Sequence, residues 1–254
     1  NDLSIKLTSD SSELKANGTD ITQVRAQITD SAGQLIPGYE GDISLKILNK
    51  NMGDILIPTE DVGKNEEVQS QTKQFNNGQS SFTIKSSRKA GDLVVLANVQ
   101  GINPSYLKIE NYAVRATKIV LESQVQEVDA DPTKIYTVNA KLYDNEDNLV
   151  KRDNISELEF SVDPEAVQFG QIVGNNKVKV INGEATMNFV VGTLTGPVRL
   201  RAKNKDMLDG YLEVYVNKHF QGQDFRTIQP KFLYGNLLGA AYGEVTSPDY
   251  LGGW

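Results

Sequence analysis

An internal repeat is the feature that most constrains how this 254-residue chain can fold. At a spacing of 105 residues the repeat pairs Gly78 with Gly183, Phe82 with Met187, Val95 with Leu200 and Tyr106 with Tyr211. At a spacing of 114 residues it pairs Ile5 with Ile119, Val24 with Val138, Ala26 with Ala140 and Asp30 with Asp144. The chain therefore contains two copies of one unit, the second nine residues shorter in its middle (114 − 105), and both copies must adopt the same fold.

Apolar and polar residues alternate along most of each copy. Val24, Ala26 and Ile28, for example, alternate with polar residues, which is the period of a strand with one buried face. The stretch 49–74 is polar and acidic instead, and we expect it to be loop with short edge strands near Ile55 and Val68. Roughly seven short strands in about 110 residues, with no helical period, predict an antiparallel β-sandwich for each copy.

The turns and strands of the first copy are similar to a known pattern. Its motif residues are Ala16, Gly18 and Asp20; then Ile28, Asp30, Gly33 and Gly38; then Gly78, Phe82, Ser86, Ala90, Gly91, Val95 and Ala97. This pattern resembles the bacterial immunoglobulin-like repeat of the invasin and intimin type. The second copy departs from it at Asp131 and Pro132, which replace the Asn-Gly turn, and at Asp147, which replaces Gly33. The resemblance implies a scaffold on the surface of a bacterium rather than a reaction.

These observations predict an all-β protein with two tandem immunoglobulin-like antiparallel β-sandwiches and a C-terminal extension. We place the first module at residues 1–114, the second module at 115–217 and the tail at 218–254. The connection from Tyr112 to Ala116 contains no glycine, serine or proline. Such a short connection favours two modules joined end to end with restricted bending.

Composition excludes several classes of function. The formal net charge is −7, with 26 basic and 33 acidic residues, which argues against a nucleic-acid partner or an anionic membrane surface. The chain has no cysteine, so disulfides and thiolate metal sites are impossible, although this does not decide the compartment. No apolar run of 18 residues exists to form a transmembrane helix.

Residues suited to catalysis are sparse. The single histidine, His219, has no cysteine or second histidine to share a metal, and neither a G-x-S-x-G elbow nor a phosphate-binding loop is present. Clustered carboxylates lie in expected turns, where solvated charge is the simpler interpretation. We therefore predict no enzymatic activity and no cofactor, with calcium as the alternative at the loop 144–148, where Asp144, Glu146 and Asp147 would be the ligands.

The same loop has a second interpretation at the joint between the modules. In an end-to-end arrangement, the loop with Arg88 and Lys89 in the first module should face the loop with Asp144, Glu146 and Asp147 in the second. We expect interdomain ion pairs here, with solvated turn residues as the alternative. Exposed pairs contribute about 0–1 kcal/mol, and charge reversal at Arg88 and Lys89 should loosen the interdomain angle.

The tail has no counterpart upstream and is rich in aromatic residues and glycine. Aromatic side chains seek burial, so we expect the tail to dock on a partner or a neighbouring subunit, or to begin a further domain. The aromatic residues of this predicted binding segment are Phe220, Phe225, Phe232, Tyr234, Tyr242, Tyr250 and Trp254.

Three functions remain open. The leading prediction is a structural or adhesive segment of an extracellular or bacterial cell-surface protein, in which two sandwiches act as a spacer and the tail engages the assembly. The alternatives are a self-assembling filament or coat subunit, and a module that binds carbohydrate or a host protein through Tyr39, Tyr106 and Tyr211. Because Tyr106 and Tyr211 are equivalent in the repeat, we expect packing to account for both of them.

Overall fold

The computed structural model describes residues 2–218, which form nineteen strands and no helix. The strands up to the joint are β1 (Ser4–Ser9), β2 (Glu13–Lys15), β3 (Ile21–Thr29), β4 (Asp42–Ile47), β5 (Gly53–Pro58), β6 (Asn65–Val68), β7 (Ser70–Gln74), β8 (Gln79–Ser86), β9 (Gly91–Val99) and β10 (Ile102–Tyr112). The strands after the joint are β11 (Lys118–Ser123), β12 (Glu127–Asp129), β13 (Ile135–Tyr143), β14 (Glu157–Val162), β15 (Gly170–Val173), β16 (Lys177–Lys179), β17 (Glu184–Val191), β18 (Gly196–Lys203) and β19 (Gly210–Asn217).

Each half of the described chain is a two-sheet sandwich. In the first half, a sheet ordered β1-β3-β8-β5-β6 packs on a sheet ordered β2-β10-β9-β4-β7. In the second half, β11-β13-β17-β15 packs on β12-β19-β18-β14-β16. The two sheets built from β1–β10 have no strand in common with the two sheets built from β11–β19. The predicted boundaries at 114/115 and 217/218 fall outside strands, and they remain predictions.

Alternation along the strands produces the two cores. The inward residues Val24 and Ala26 of β3 are fully buried, together with Phe82 on the neighbouring strand β8 and Leu45 on the opposite sheet. The second core repeats the arrangement with Val138, Ala140, Phe160 and Phe189. The apolar residues paired by the repeat are therefore the residues that fill the two interiors, as expected for half-buried strands.

The first two strands of the chain, β1 and β2, belong to different sheets. β1 pairs antiparallel with β3, whereas β2 pairs parallel with the end of β10, so the chain crosses from one sheet to the other between Ser9 and Glu13. β12 and β19 form the equivalent parallel pair in the second half. These two short parallel pairs are exceptions within the antiparallel β-sandwiches that the sequence predicts.

The expectation of loop and edge for 49–74 is wrong in part. β5 is an interior strand, hydrogen-bonded to β8 on one side and to β6 on the other. β6 and β7 are edge strands with mainly polar residues exposed. The expectation of an edge strand near Val68 is met by β6, whereas β7 was not expected, because backbone pairing defines such edge strands and their side chains need not alternate.

The repeat also extends to the turns. Asn77-Gly78 and Asn182-Gly183 each have two successive residues with positive φ, at 53° and 73° in the first turn and 53° and 79° in the second. Asparagine followed by glycine is the pair that tolerates this geometry best. A Cβ on Gly78 would collide with the carbonyl oxygen of Ile36, and one on Gly183 with that of Val150. Glycine is therefore required at both positions.

Candidate functional site: the joint between the modules

The joint is formed by one loop from each module. Residues 87–90 connect β8 to β9, and residues 144–149 follow β13, so both loops lie at the ends of the sandwiches that meet. Arg88 Nη1 lies 3.4 Å from Glu146 Oε1, and Lys89 Nζ donates to the backbone oxygen of Glu146 at 2.8 Å. The structure thus brings the predicted Arg88 and Lys89 to one of the three predicted acids, Glu146.

Asn148 makes the most specific contact across the joint. Its Oδ1 accepts from the Ala90 N–H at 2.9 Å, and its Nδ2 donates to the backbone oxygen of Arg88 at 2.8 Å. The side chain is 6% exposed, and Ala90 packs against the core of the second module. One amide side chain therefore satisfies a donor and an acceptor of the other module's backbone in a nearly dry environment, where an unpaired partner is costly.

Asp144 shapes the loop that carries Asn148. Its Oδ1 accepts from the N–H groups of Glu146 at 2.9 Å and of Asn148 at 2.8 Å, and its Oδ2 accepts from Asn148 Nδ2 at 2.9 Å. Asp30 forms the equivalent turn in the first module by accepting from two backbone N–H groups. Aspartate commonly stabilises turns in this way. Asp144 is therefore a loop-building residue and does not contact Arg88 or Lys89.

Asp147 occupies the left-handed position of the same turn. Its φ is +64°, close to the +77° of Gly33, so the fold keeps the conformation although the residue differs. The Asp147 carboxylate pairs with Lys118 of its own module, and this contact lowers its pKa. The direct partner of Asp147 is thus Lys118, although the nearby charge of Lys89 also lowers its pKa, and an ion pair of Asp147 with Arg88 or Lys89 remains a prediction.

A second contact, centred on Arg152, lies beside the loops. Two guanidinium nitrogens of Arg152 donate to the two carboxylate oxygens of Glu13 at 3.1 and 2.7 Å, and one also donates to Glu110 at 3.1 Å. The guanidinium carbon lies 3.7 Å from the centre of the Tyr112 ring. The hydrogen bond with Arg152 lowers the pKa of Glu13. Bidentate pairing together with stacking is a geometry that arginine forms and lysine does not.

Sequence reasoning missed Arg152, Glu13 and Glu110, and considered Asn148 only as part of a calcium loop. A signal was present in the repeat. Arg152 and Asn148 stand 114 residues after Gly38 and Gln34, so the two copies differ at the positions that form the joint. Differences between otherwise matched copies could have indicated residues used at only one end of a module.

No group of three or more acidic or histidine side chains within residues 2–218 is arranged to hold a metal ion. The carboxylates proposed for calcium already bind the loop backbone, Asn148 and Lys118. Calcium binding at Asp144, Glu146 and Asp147 remains an untested alternative. The predicted tail residues Phe220, Phe225, Phe232, Tyr234, Tyr242, Tyr250 and Trp254, together with His219, lie outside the described part of the chain.

The three tyrosines considered for ligand binding differ in their surroundings. Tyr39 packs edge-on against Phe75, with ring centres 5.4 Å apart. Tyr106 and Tyr211 are 61% and 66% exposed. Packing therefore does not account for the equivalent pair, and that expectation is wrong. Both tyrosines precede the inward-facing residues Leu107 and Leu212, so strand alternation in the sequence already placed them on the outer faces.

Comparison with known proteins shows which folds are similar to that of this chain. The model for glycoside hydrolase family 2 C-terminal domain 5 matches residues 5–108, which is less than half of the chain. No curated protein sequence matches. The structure of InvD from Yersinia pseudotuberculosis is similar with a TM-score of 0.51 and 18% identity, over 87% of this chain and 60% of that one.

The chain has the fold of InvD. The predicted resemblance to immunoglobulin-like repeats of the invasin and intimin type is thereby confirmed at the level of the fold. Lower similarity links the chain to invasin, described as a bacterial integrin-binding protein (16% identity, 84% of this chain, 40% of that one, TM-score 0.44). It also links the chain to FdeC, described as an Escherichia coli adhesin (16% identity, 85% and 66%, TM-score 0.40).

Proposed function

We propose that this chain is a non-enzymatic spacer segment of a bacterial surface adhesin. The observation that carries the proposal is the joint, where Asn148 binds the backbone at Arg88 and Ala90 while Arg152 binds Glu13 and Glu110. A charged and hydrogen-bonded joint opposes bending, so the two sandwiches present whatever follows them at a fixed distance and direction. The resemblance of the first copy to the invasin and intimin type of repeat supports an adhesive context.

A spacer segment of a surface adhesin must lie outside the cell. The test is protease treatment of intact cells that produce the native protein, followed by detection with an antibody raised against residues 2–218. We expect the segment to be cleaved by protease and labelled by antibody without permeabilisation. An abundant cytoplasmic protein in the same cells is the control and should be neither cleaved nor labelled. Labelling only after permeabilisation would exclude the surface location.

The part of the proposal that concerns the tail is separate. Seven aromatic side chains in residues 218–254 favour a partner, a neighbouring subunit or a further domain that covers them. Limited proteolysis of the isolated chain and of the native assembly distinguishes these arrangements. Rapid cleavage in isolation and protection in the assembly support a partner, whereas protection in the isolated monomer indicates that the tail docks on its own module.

The filament alternative makes a different prediction. If the tail connects subunits, polymerisation should depend on concentration and should be abolished by deletion of residues 218–254. A stable monomer over the same concentration range favours the spacer. Residues 2–218 contain no helix that could span a membrane.

A further inference from the structure

The outer face of β18 and β19 contains an exposed aromatic ring surrounded by fixed hydrogen-bonding groups. Tyr211 lies directly opposite Arg201 in the antiparallel pair, and Ser161 lies opposite Arg201 on the other side. These residues border a shallow depression of about 390 Å³, which Asp163, Arg199 and Glu213 also line. The volume lies within the range of small-molecule sites.

The groups around the ring are held in place by each other. Arg201 Nε donates to Asp209 Oδ2 at 2.8 Å, and the Tyr211 hydroxyl donates to the same oxygen at 3.4 Å. On the next rung Arg199 Nε donates to Glu213 Oε2 at 2.8 Å. Each guanidinium has five N–H donors and each carboxylate several acceptor positions, so both retain capacity for a ligand.

This combination fits one class of ligand. A sugar ring has a C–H face that stacks on an exposed aromatic ring, and its rim of hydroxyls both donates and accepts hydrogen bonds. Tyr211 supplies the ring face, the arginines supply donors and Glu213 supplies acceptors, while Asp209 holds Arg201 beside the ring. An apolar peptide would instead cover the ion pairs and leave their polar atoms without partners.

The charge around the depression specifies the ligand further. The two arginines are each paired with a carboxylate, and Asp163 adds a further acid to the lining. Acidic sugars, phosphates and sulfates would therefore meet repulsion rather than a free cation. We propose that the Tyr211 face binds a neutral oligosaccharide, a function that goes beyond the spacer and does not depend on it.

The first module supplies a matched control. Tyr106 is the repeat equivalent of Tyr211 and is similarly exposed, but Leu96 and Val94 stand where the second module has Arg201 and Arg199. Lys108 replaces Glu213 at the third position. This face therefore has the ring without the two arginines and their carboxylate partners, and we expect it not to bind the sugar.

The test is titration of the full 254-residue chain with maltohexaose, cellohexaose and mannohexaose, and with hexagalacturonate as the acidic comparison, followed through backbone amide shifts. At sugar concentrations up to about 10 mM we expect at least one neutral hexaose to shift amides of β18 and β19, and Tyr211→Ala to weaken binding about tenfold. Tyr106→Ala should change the affinity less than about twofold, and Tyr211→Phe should retain most of it.

Several results would overturn the proposal. These are no shift with any of the three neutral hexaoses, tighter binding of hexagalacturonate, shifts centred on β9 and β10, or equal losses from Tyr106→Ala and Tyr211→Ala. Since Tyr211 is exposed, its replacement leaves no cavity, and an unchanged thermal midpoint checks that the variant is folded. None of these results bears on the joint, so the spacer function is tested separately.

Discussion

Asn148 accepts a hydrogen bond from the backbone N–H of Ala90 at 2.9 Å, across the joint between the two sandwiches. The same amide donates to the carbonyl oxygen of Arg88 at 2.8 Å. Asn148→Ala should therefore open the joint, because a backbone donor and acceptor lose their partner and gain solvation only when the modules separate. We expect a loss of about 1–2 kcal/mol in the contact between the modules.

Small-angle scattering measures this prediction as a broader distribution of interdomain distances. Gln34→Ala is the matched control, because Gln34 is the repeat equivalent of Asn148 and lies in the first module's turn away from the joint. An Asn148→Ala envelope that superposes on that of the Gln34→Ala protein would contradict the role of Asn148.

Arg152→Glu should loosen the joint more than charge reversal at Arg88 and Lys89. The substitution places a third carboxylate beside Glu13 and Glu110, whereas Arg88 is well exposed and its contact with Glu146 is long, at 3.4 Å. The Glu13→Arg/Arg152→Glu double variant should recover part of the wild-type envelope in low salt, and the recovery should fade as salt increases. Lys151→Glu, with the same change in net charge, controls for nonspecific repulsion; equal effects from both variants would reject the prediction.

Alanine at three turn glycines should have graded effects on stability. Gly33 has a φ of +77° with open space around it, so Gly33→Ala should lower the free energy of unfolding by about 1–2 kcal/mol through the backbone alone. Gly78→Ala and Gly183→Ala should cost more, since the added methyl meets a carbonyl oxygen as well. Denaturant unfolding measures all three, and a Gly33→Ala loss as large as the other two would show that the collision is irrelevant.

Asp54→Asn should raise the midpoint of thermal unfolding at neutral pH. Burial, followed by the nearby charge of Glu67, raises the pKa of the Asp54 carboxyl above its ordinary value. The folded state therefore binds a proton more tightly than the unfolded state, so ionised Asp54 opposes folding above its folded pKa. Asparagine keeps an oxygen that can accept from Gln69 Nε2, which lies 2.7 Å from Asp54 Oδ1.

The gain from Asp54→Asn should shrink as the pH falls from the folded pKa of Asp54 to its ordinary pKa, because the wild-type carboxyl becomes protonated in both states. The Lys85 ammonium lowers the pKa of Glu67, which gives a pH dependence of opposite sign in both proteins. Melts between pH 7 and pH 3 measure the difference, with exposed Glu60→Gln as the control. A gain of constant size across this range would refute the assignment.

Calcium should not change the thermal midpoint. The Asp144 carboxylate accepts from two backbone N–H groups and from Asn148, and Asp147 pairs with Lys118, so a cation would have to displace these partners. Melts in excess calcium and in excess chelator measure the effect. A higher midpoint in calcium that is lost in Asp144→Asn would revive the calcium alternative.

The sequence by itself determined the two sandwiches and their cores. Strand alternation places Val24 and Val138 inside because burial of one face is a local, period-two property, and the repeat doubles every such assignment. The same alternation also placed Tyr106 and Tyr211 outside, although packing was the expectation for them. The sequence predicted β5 as an edge strand and missed its interior position, because its apolar residues 55–57 are consecutive and its neighbour β6 is held by backbone pairing.

Only the tertiary structure decided the joint. Arg152 lies in a turn 139 residues after Glu13, and Glu110 lies on β10, which pairs with the strand of Glu13, so no local pattern relates the three residues. Among the predicted acids, Glu146 reaches the first module while Asp144 and Asp147 bind within their own. The physical reason is that a charged turn residue pairs with the nearest hydrogen-bond donor. Which donor is nearest depends on how the two sandwiches meet.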